Sequence, residues 1–312
     1  MKLNKILVVS SALVFALLGS GSVFAADESL KGDPQARVDA INSAIAAKGA
    51  KWVAGRTEMA EMPVQDQENM FGLSFEPLNI GAAPLPMGRA VLPESLDWRA
   101  NNGNFVTEPR NQGRCGSCWA FSMTGALESY SLRTKNTPNR ELDLSEQVMV
   151  SCSGSGSCKG GRLNADYIKT TGLPPESYYP YTQTDGSCSN VKPGWESETY
   201  KIGRWGSVTQ SVNAIKTALN KYGPLPTGYL VYEDFLNYKS GIYTYTTGER
   251  KGGHAVLIVG YNDAEKYFIV KNSWGPSWGE NGFFRIAYSE MENEVMFGMS
   301  TIAYYNPVQR AK

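Results

Sequence analysis

The sequence predicts an α+β protein, a helical half followed by a sheet half, behind an N-terminal extension of different character. Three observations predict it. After Trp119, apolar residues recur at helical spacing: Met123, Ala126, Leu127 and Tyr130. Toward the C-terminus the pattern changes to continuous apolar runs at 255–259 and 267–270. A third run at 283–288 follows the turn signal Glu280-Asn281-Gly282. Ahead of both halves, Pro77, Pro84, Pro86 and Pro93 punctuate a stretch of little charge, as an extended, exposed connection requires.

The elements follow in order. Lys2 and Lys5 precede an apolar run at 6–18, and Val23-Phe24-Ala25 supplies small residues for cleavage after Ala25. Residues 1–25 therefore read as a signal peptide, and the product as secreted or periplasmic. The run is too short to be a convincing bilayer span. Pro34 to Lys48 reads as an amphipathic helix through Ala36, Val38, Ile41, Ala44 and Ile45. Residues 52–70 are mixed and polar. The proline-dense stretch at about 72–93 is open to proteolysis. Residues 26–92 thus form either a plain extension or, as we read them, an inhibitory prosegment cut within 72–93. The domain proper occupies 93–312. In it Ser117 is a candidate N-cap that puts Cys118 in the first turn of a helix; Leu144-Ser145-Glu146-Gln147 opens a second helix, and Ser211 to Lys221 forms a third.

The chain has 312 residues, 30 basic and 30 acidic, so net charge is zero. That balance removes the electrostatic case for nucleic acid or an anionic membrane as a partner. Export implies an oxidising environment for the five cysteines, 115, 118, 152, 158 and 188. Any one could be the odd thiol and the other four pair in three ways, so counting leaves the pairing open.

Chemistry concentrates at Gln112-Gly113-Arg114-Cys115-Gly116-Ser117-Cys118-Trp119. A thiol at the positive end of a helix dipole, with a side-chain amide nearby, suits acyl transfer. The chain's one histidine, His254, sits in Gly252-Gly253-His254-Ala255 just before a buried strand. An antiparallel hairpin centred on Asp263 would put His254 opposite Asn272, close enough for the amide oxygen to fix the imidazole tautomer. The imidazole could then take the proton of Cys118, and the Gln112 side chain and the Cys118 backbone N–H could hold the oxyanion.

These residues resemble the papain family of cysteine peptidases, whose signature is C-G-[SA]-C-[WY] with His and Asn about 130–150 residues downstream. The resemblance extends over about 92–305 through Asp97-Trp98-Arg99, Leu144-Ser145-Glu146-Gln147, Cys152, Cys158-Lys159-Gly160-Gly161, Tyr179-Pro180-Tyr181, Gly223-Pro224, Asn272-Ser273-Trp274-Gly275 and Trp278-Gly279-Glu280-Asn281-Gly282. It implies a papain-like two-lobed fold, the helical lobe carrying Cys118 and a β-barrel-like lobe carrying His254 and Asn272. It also implies roles: Cys118 nucleophile, His254 base and acid, Asn272 orienter, Gln112 oxyanion donor. Trp274 would shield the His–Asn pair. Gly160 and Gly161 would bind extended substrate with Gly253 on the opposite wall. Leu163, Gly228 and Ala255 would line the pocket for the second residue before the cleaved bond. The family pattern implies bridges Cys115–Cys158 and Cys152–Cys188, with Cys118 free.

Departures refine the expectation. No cysteine follows Cys188, so a third bridge found in many relatives is absent, with Phe297 about where one partner would be. Trp52-Val53-Ala54-Gly55 resembles the short cathepsin B-type prosegment. Val231-Tyr232-Glu233-Asp234-Phe235, Tyr238-Lys239-Ser240-Gly241 and Gly252-Gly253-His254 resemble cathepsin B and dipeptidyl peptidase I. Cathepsin B trims C-terminal dipeptides with histidines on an inserted loop. Here the sole histidine is committed, and the 158–188 interval has no room for such a loop. The expectation is a monomeric endopeptidase made as a zymogen, acting on polypeptides, inhibited by its own prosegment, with no cofactor and no metal. The alternatives are an exopeptidase of the same family, a non-catalytic homologue, or a thiol-disulfide oxidoreductase using Cys115 and Cys118. A zinc site would need more ligands than one distant histidine offers.

Overall fold

The computed structural model describes residues 33–74, 85 and 91–306. The signal-peptide reading of residues 1–25, and most of the proline-dense connection, lie outside them. The chain opens with helix α1 (Pro34–Lys48), capped by the Asp33 carboxylate and closed by Gly49 in the left-handed region at φ 62°. Val38, Ile41 and Ile45 form its buried stripe, as their spacing predicts. Strand β1 (Lys51–Ala54) and the short helices α2 (Glu58–Glu61) and α3 (Val64–Asn69) follow. Read as mixed polar chain, residues 52–70 prove to be ordered. Elements of four to six residues are too short for periodicity to reveal.

Beyond the connection come β2 (Ser95–Asp97), α4 (Cys118–Thr134) and α5 (Glu146–Cys152). Next are the two-residue strands β3 (Gly156–Ser157) and β4 (Gly160–Gly161), then α6 (Asp166–Thr170), β5 (Arg204–Ser207) and α7 (Val212–Tyr222). Helix α4 is buried on nearly every side from Cys118 to Leu132, as an all-round buried helix at the heart of a domain must be. Gly125 lets it lie close to the sheet: a Cβ there would meet Leu257 Cδ2 at 3.4 Å. Ser117 occupies the N-cap position, but its hydroxyl does not cap the helix; it pairs with the Tyr181 hydroxyl at 2.6 Å. Helices α5 and α7 lie where expected, and Ser145 and Ser211 cap them.

The sheet half comprises β6 (Leu225–Tyr232), β7 (Tyr238–Tyr243), β8 (Arg250–Asn262), β9 (Tyr267–Lys271), β10 (Phe283–Ala287) and β11 (Ile302–Tyr305). The main sheet runs β1-β7-β10-β9-β8-β2, with β6 also paired to β8. Its curl is that of a half-barrel, and helices pack against it, so the α+β, two-lobed expectation describes the molecule.

One expectation about this sheet is corrected. Strands β8 and β9 do form a hairpin, but Leu257 pairs with Lys271 and Ile258 with Val270, and the register shifts again between Ile258 and Gly260. His254 and Asn272 are therefore not cross-strand partners. His254 pairs instead with Tyr229 of β6. The cause lies at the turn: Asn262 already pairs with Tyr267, which centres the hairpin between Ala264 and Glu265 rather than on Asp263, and the extra residue at Val259, whose carbonyl accepts from the Trp98 N–H, recovers only one position.

Candidate active site

Prosegment and lobes meet across the cleft. Strand β1 adds antiparallel to the edge of β7, with Trp52 opposite Gly241. The Trp52 ring sits between Tyr238 and Tyr243, 6.2 and 5.2 Å away between centroids, and its N–H donates to Thr246 Oγ1 at 3.2 Å. Thr57 caps α2 and donates to the Leu236 carbonyl. So anchored, the chain leaves α3 and passes Met70, Phe71, Gly72, Leu73 and Ser74 through the cleft.

Cys118 stands at the first position of α4, fully buried and the only free cysteine. Cys115 is bonded to Cys158, and Cys152 to Cys188. With Cys115 in a bridge to Cys158, Cys118 has no vicinal thiol to exchange with. Burial pushes the Cys118 thiol up to about 11, while the backbone N–H groups of Ala255, Gly72, Trp119 and Cys118 itself favour the thiolate and limit the rise.

His254 is fully buried at the start of the apolar part of β8. Its Nε2 lies 2.8 Å from Asn272 Oδ1, which also accepts the Ser273 backbone N–H at 2.8 Å. An oxygen that accepts from Ser273 can only accept from the ring, so Nε2 carries the proton and Nδ1 keeps its lone pair. Among the described residues Nδ1 has no hydrogen-bond partner. Asn272 reaches this place because the chain leaves the ladder after Lys271: its N–H donates to the Gly282 carbonyl at 2.9 Å. Trp274 covers the imidazole at 4.8 Å, tilted 30°. Burial pulls the imidazole down to about 4, with the Asn272 hydrogen bond working the other way. In this closed state both the thiol and the imidazole are therefore neutral near pH 7.

Gln112 is held in an unusually complete frame. Ser273 Oγ donates to its Oε1 at 2.7 Å, which fixes the sense of the amide. One Nε2 hydrogen goes to the Cys115 carbonyl at 2.9 Å, and the other to the Met70 carbonyl at 3.0 Å. The position facing the second N–H is thus filled by a backbone oxygen of the prosegment.

Of the expected substrate-binding residues, Gly160, Gly161, Gly253, Gly228 and Trp274 meet the same segment. Gly161 donates to the Gly72 carbonyl at 2.8 Å and accepts from Ser74 at 3.0 Å. A Cβ on Gly160 would lie 2.9 Å from that Gly72 oxygen, and one on Gly161 would strike the Trp119 ring. On the other wall Gly253 accepts from the Leu73 N–H at 3.1 Å. A Cβ on Gly228 would lie 2.2 Å from Leu73 Cδ2 and 3.4 Å from Met299 Cγ, so the absence of a side chain makes room for Leu73. Ala255 pairs with Gly228 across the sheet and is buried. Leu163 is buried in the same core. Phe71 packs edge-on to both His254 and Trp274, 6.3 Å from each.

Sequence reasoning missed Met70–Ser74 as the occupant of the cleft, and Ser273 and Tyr181 as supports of Gln112. The Asn272-Ser273-Trp274 and Tyr179-Pro180-Tyr181 motifs drew notice, but nothing local says that Ser273 and Tyr181 meet Gln112, 161 and 69 residues away.

Comparison with known proteins gives the family and the fold. The family profile described as "Papain family cysteine protease" matches residues 92–305. A cathepsin L-like proteinase of Fasciola hepatica is 38% identical over 237 residues, covering 73% of this chain and 69% of the relative. Cathepsin B-like CP3 of Giardia intestinalis is 33% identical over 276 residues, covering 84% and 91%. Among solved structures, procathepsin L2 of Tenebrio molitor superposes with a TM-score of 0.75 at 25% identity, covering 92% and 94%. The procathepsin B S9 of Trypanosoma congolense gives 0.76 at 23%, covering 87% and 97%, and speaks to the fold alone. By motif order, fold and relationship, the chain belongs to the papain family of cysteine proteases.

Proposed function

We propose that the protein is an exported cysteine endopeptidase made as a zymogen, with residues 26–92 as prosegment and 93–312 as the peptidase. The observation that carries this reading is the passage of Met70–Ser74 through a cleft where Cys118, His254, Asn272 and Gln112 stand ready. The inhibitory segment runs from the Gln112 side toward the Gly228 pocket, and Leu73 pairs with Gly161 in the parallel sense. A substrate whose second residue before the cut fills that pocket would run the other way. The prosegment therefore fills both sites without offering Cys118 a correctly directed carbonyl.

Once the prosegment leaves, water and substrate reach the pair, the cost of charge falls, and a proton passes from Cys118 to His254. The thiolate attacks the carbonyl carbon. The oxyanion takes the place of the Met70 carbonyl oxygen and receives hydrogen bonds from Gln112 and the Cys118 N–H. His254 gives its proton to the leaving amine, the C–N bond breaks, and an acyl-thioester remains. Water, deprotonated by His254, then cleaves the thioester and restores the thiol.

The endopeptidase reading is supported by the sequence having no histidine besides His254 that could hold a substrate's terminal carboxylate. Export is supported by the two bridges, which fit an oxidising compartment. Among the described residues no helix is long and apolar enough to cross a membrane. The test is to activate the full-length proform and profile it on a peptide library beside Cys118→Ala. Internal cuts abolished by that substitution are expected. Release of terminal dipeptides alone would overturn the endopeptidase reading, and activity in Cys118→Ala would overturn the mechanism.

A further inference from the structure

The Tyr181 hydroxyl bonds to the backbone of the residue that carries one proposed oxyanion donor and to the side chain of the residue before the other. It donates to the main-chain carbonyl of Gln112 at 2.9 Å and lies 2.6 Å from Ser117 Oγ. A carbonyl can only accept, so the single Tyr181 proton is committed to Gln112, and Ser117 must be the donor to Tyr181. The chain of bonds runs Ser117 to Tyr181 to Gln112. At one end is the residue that precedes Cys118, whose N–H is the second oxyanion donor. At the other is the residue that supplies the first.

The ring is itself fixed. It meets Phe121, one turn further along the catalytic helix, edge-on at 4.8 Å, and the Tyr181 backbone N–H donates to Glu176 Oε1 at 2.6 Å. Gln112 is thus gripped from two sides: its N–H by the Ser273 carbonyl of the sheet lobe, at 2.9 Å, and its carbonyl by Tyr181 of the helical lobe. Only the second grip also reaches the helix that bears the nucleophile.

We infer that Tyr181 is a positioning residue for the oxyanion site, setting the spacing between the Gln112 amide and the Cys118 N–H. This rests on the reading of Gln112 as the oxyanion donor. Preorganised donors gain their effect from fixed placement, and losing one outright costs on the order of 10²–10³ in rate. Loosening the link between them costs less.

The test uses enzyme activated from full-length proform carrying Tyr181→Phe, which keeps the ring and removes the hydroxyl. The expected result is a kcat about tenfold lower with KM within about twofold, intermediate between a lost donor and none. Affinity for a peptide aldehyde, whose adduct with the thiol places an oxyanion in the site, should fall by a similar factor. The pH profile of Cys118 alkylation by iodoacetamide should not move, since that reaction does not use the oxyanion donors. A kcat and an aldehyde affinity both within about twofold of the parent overturn the inference. So does an alkylation profile that shifts along with kcat, which would place the effect on the Cys118–His254 pair. Gln112→Ala, run in parallel, separates the two readings. If it leaves kcat intact, the oxyanion assignment itself fails. If it lowers kcat while Tyr181→Phe does not, only the role of Tyr181 fails. In the Gln112→Ala background, Tyr181→Phe should cost less than it does alone, and an undiminished loss also overturns the inference. Should Tyr181→Phe not fold, Ser117→Ala cuts the same chain of bonds from the helix side. It should lower kcat and aldehyde affinity together, and no change in either counts against the role.

Discussion

The side-chain amide of Gln112 donates to the backbone carbonyl of Met70, 42 residues earlier in the chain, at 3.0 Å. A prosegment oxygen stands at the position that the proposed oxyanion would take. On the proposed mechanism, the closed state occupies the same donor that the open state would use.

At Gly72 the prosegment lies against the domain's backbone with no room for a side chain. A Cβ there would sit 1.8 Å from the Gly116 carbonyl oxygen, which is backbone and cannot swing away. Gly72→Ala should therefore lift the segment from the cleft while leaving the 93–312 part unaltered. The expected outcome is a proform whose Cys118 is alkylated at least tenfold faster at neutral pH. A rate equal to the parent proform would show that the cleft segment is not what closes the site.

Acid should loosen a Cys118→Ala proform through His254, since no thiolate is then present to hold the ring's proton once the site opens. The imidazole is held at about 4 by burial, against an ordinary value of 6.5. A state in which the ring is solvated takes up a proton below pH 6.5, and the closed state does not. The advantage of the closed state therefore shrinks as pH falls from 6.5 toward 4. At about 1.4 kcal/mol per unit, the effect is on the order of 3 kcal/mol. The rate at which an added protease cuts the prosegment of this variant, measured from pH 4 to 8, should rise below 6.5. A rate independent of pH between 4 and 6.5 would contradict this account.

Trp52 is the main anchor of β1. It is 3% exposed and packs between Tyr238 and Tyr243. Trp52→Ala should cost about 3–5 kcal/mol, the range for large aromatic deletions in a core. Thermal unfolding of the proform and spontaneous activation should both shift in the direction of a looser prosegment. Activity after processing should be unchanged, because processing removes residue 52 from the enzyme. A proform melting as the parent does would refute the anchoring role.

Asn272→Ala removes the acceptor that holds Nε2–H and frees the imidazole to take the other tautomer or turn. Misplaced catalytic groups cost up to about 10² in rate. A kcat lower by ten- to a hundredfold is expected, with a smaller change in KM. Ser273→Ala should act on Gln112 instead, since its hydroxyl fixes the amide, and should weaken aldehyde binding more than it alters Cys118 alkylation. Equal effects of the two substitutions on alkylation would contradict this division.

Much of the site could be read from the chain because its chemistry demands residue types rather than shapes. A thiol at a helix start, a sole histidine before an apolar strand, and an Asn in a tight aromatic-glycine motif are visible without coordinates. So are α1, α4, α5 and α7, whose apolar spacing or Ser caps are local signals. The hairpin of β8 and β9 was legible as a pair of strands, but its register was not. Asn262 pairs with Tyr267, so the turn centres between Ala264 and Glu265 rather than on Asp263, and the extra residue at Val259 lies against β2, more than 150 residues away in sequence.

By itself the sequence determined that this is a papain-family chain with a helical half, a sheet half and a distinct N-terminal extension, because helical period, apolar strand runs and motif order are local properties. Only the tertiary structure decided what fills the cleft and how the donors are held. Met70 reaching Gln112, Trp52 entering its socket on β7, and the Ser117–Tyr181–Gln112 chain of bonds join residues far apart in sequence. Such pairings depend on how the lobes and prosegment pack, and packing leaves no periodic mark on the segments it joins.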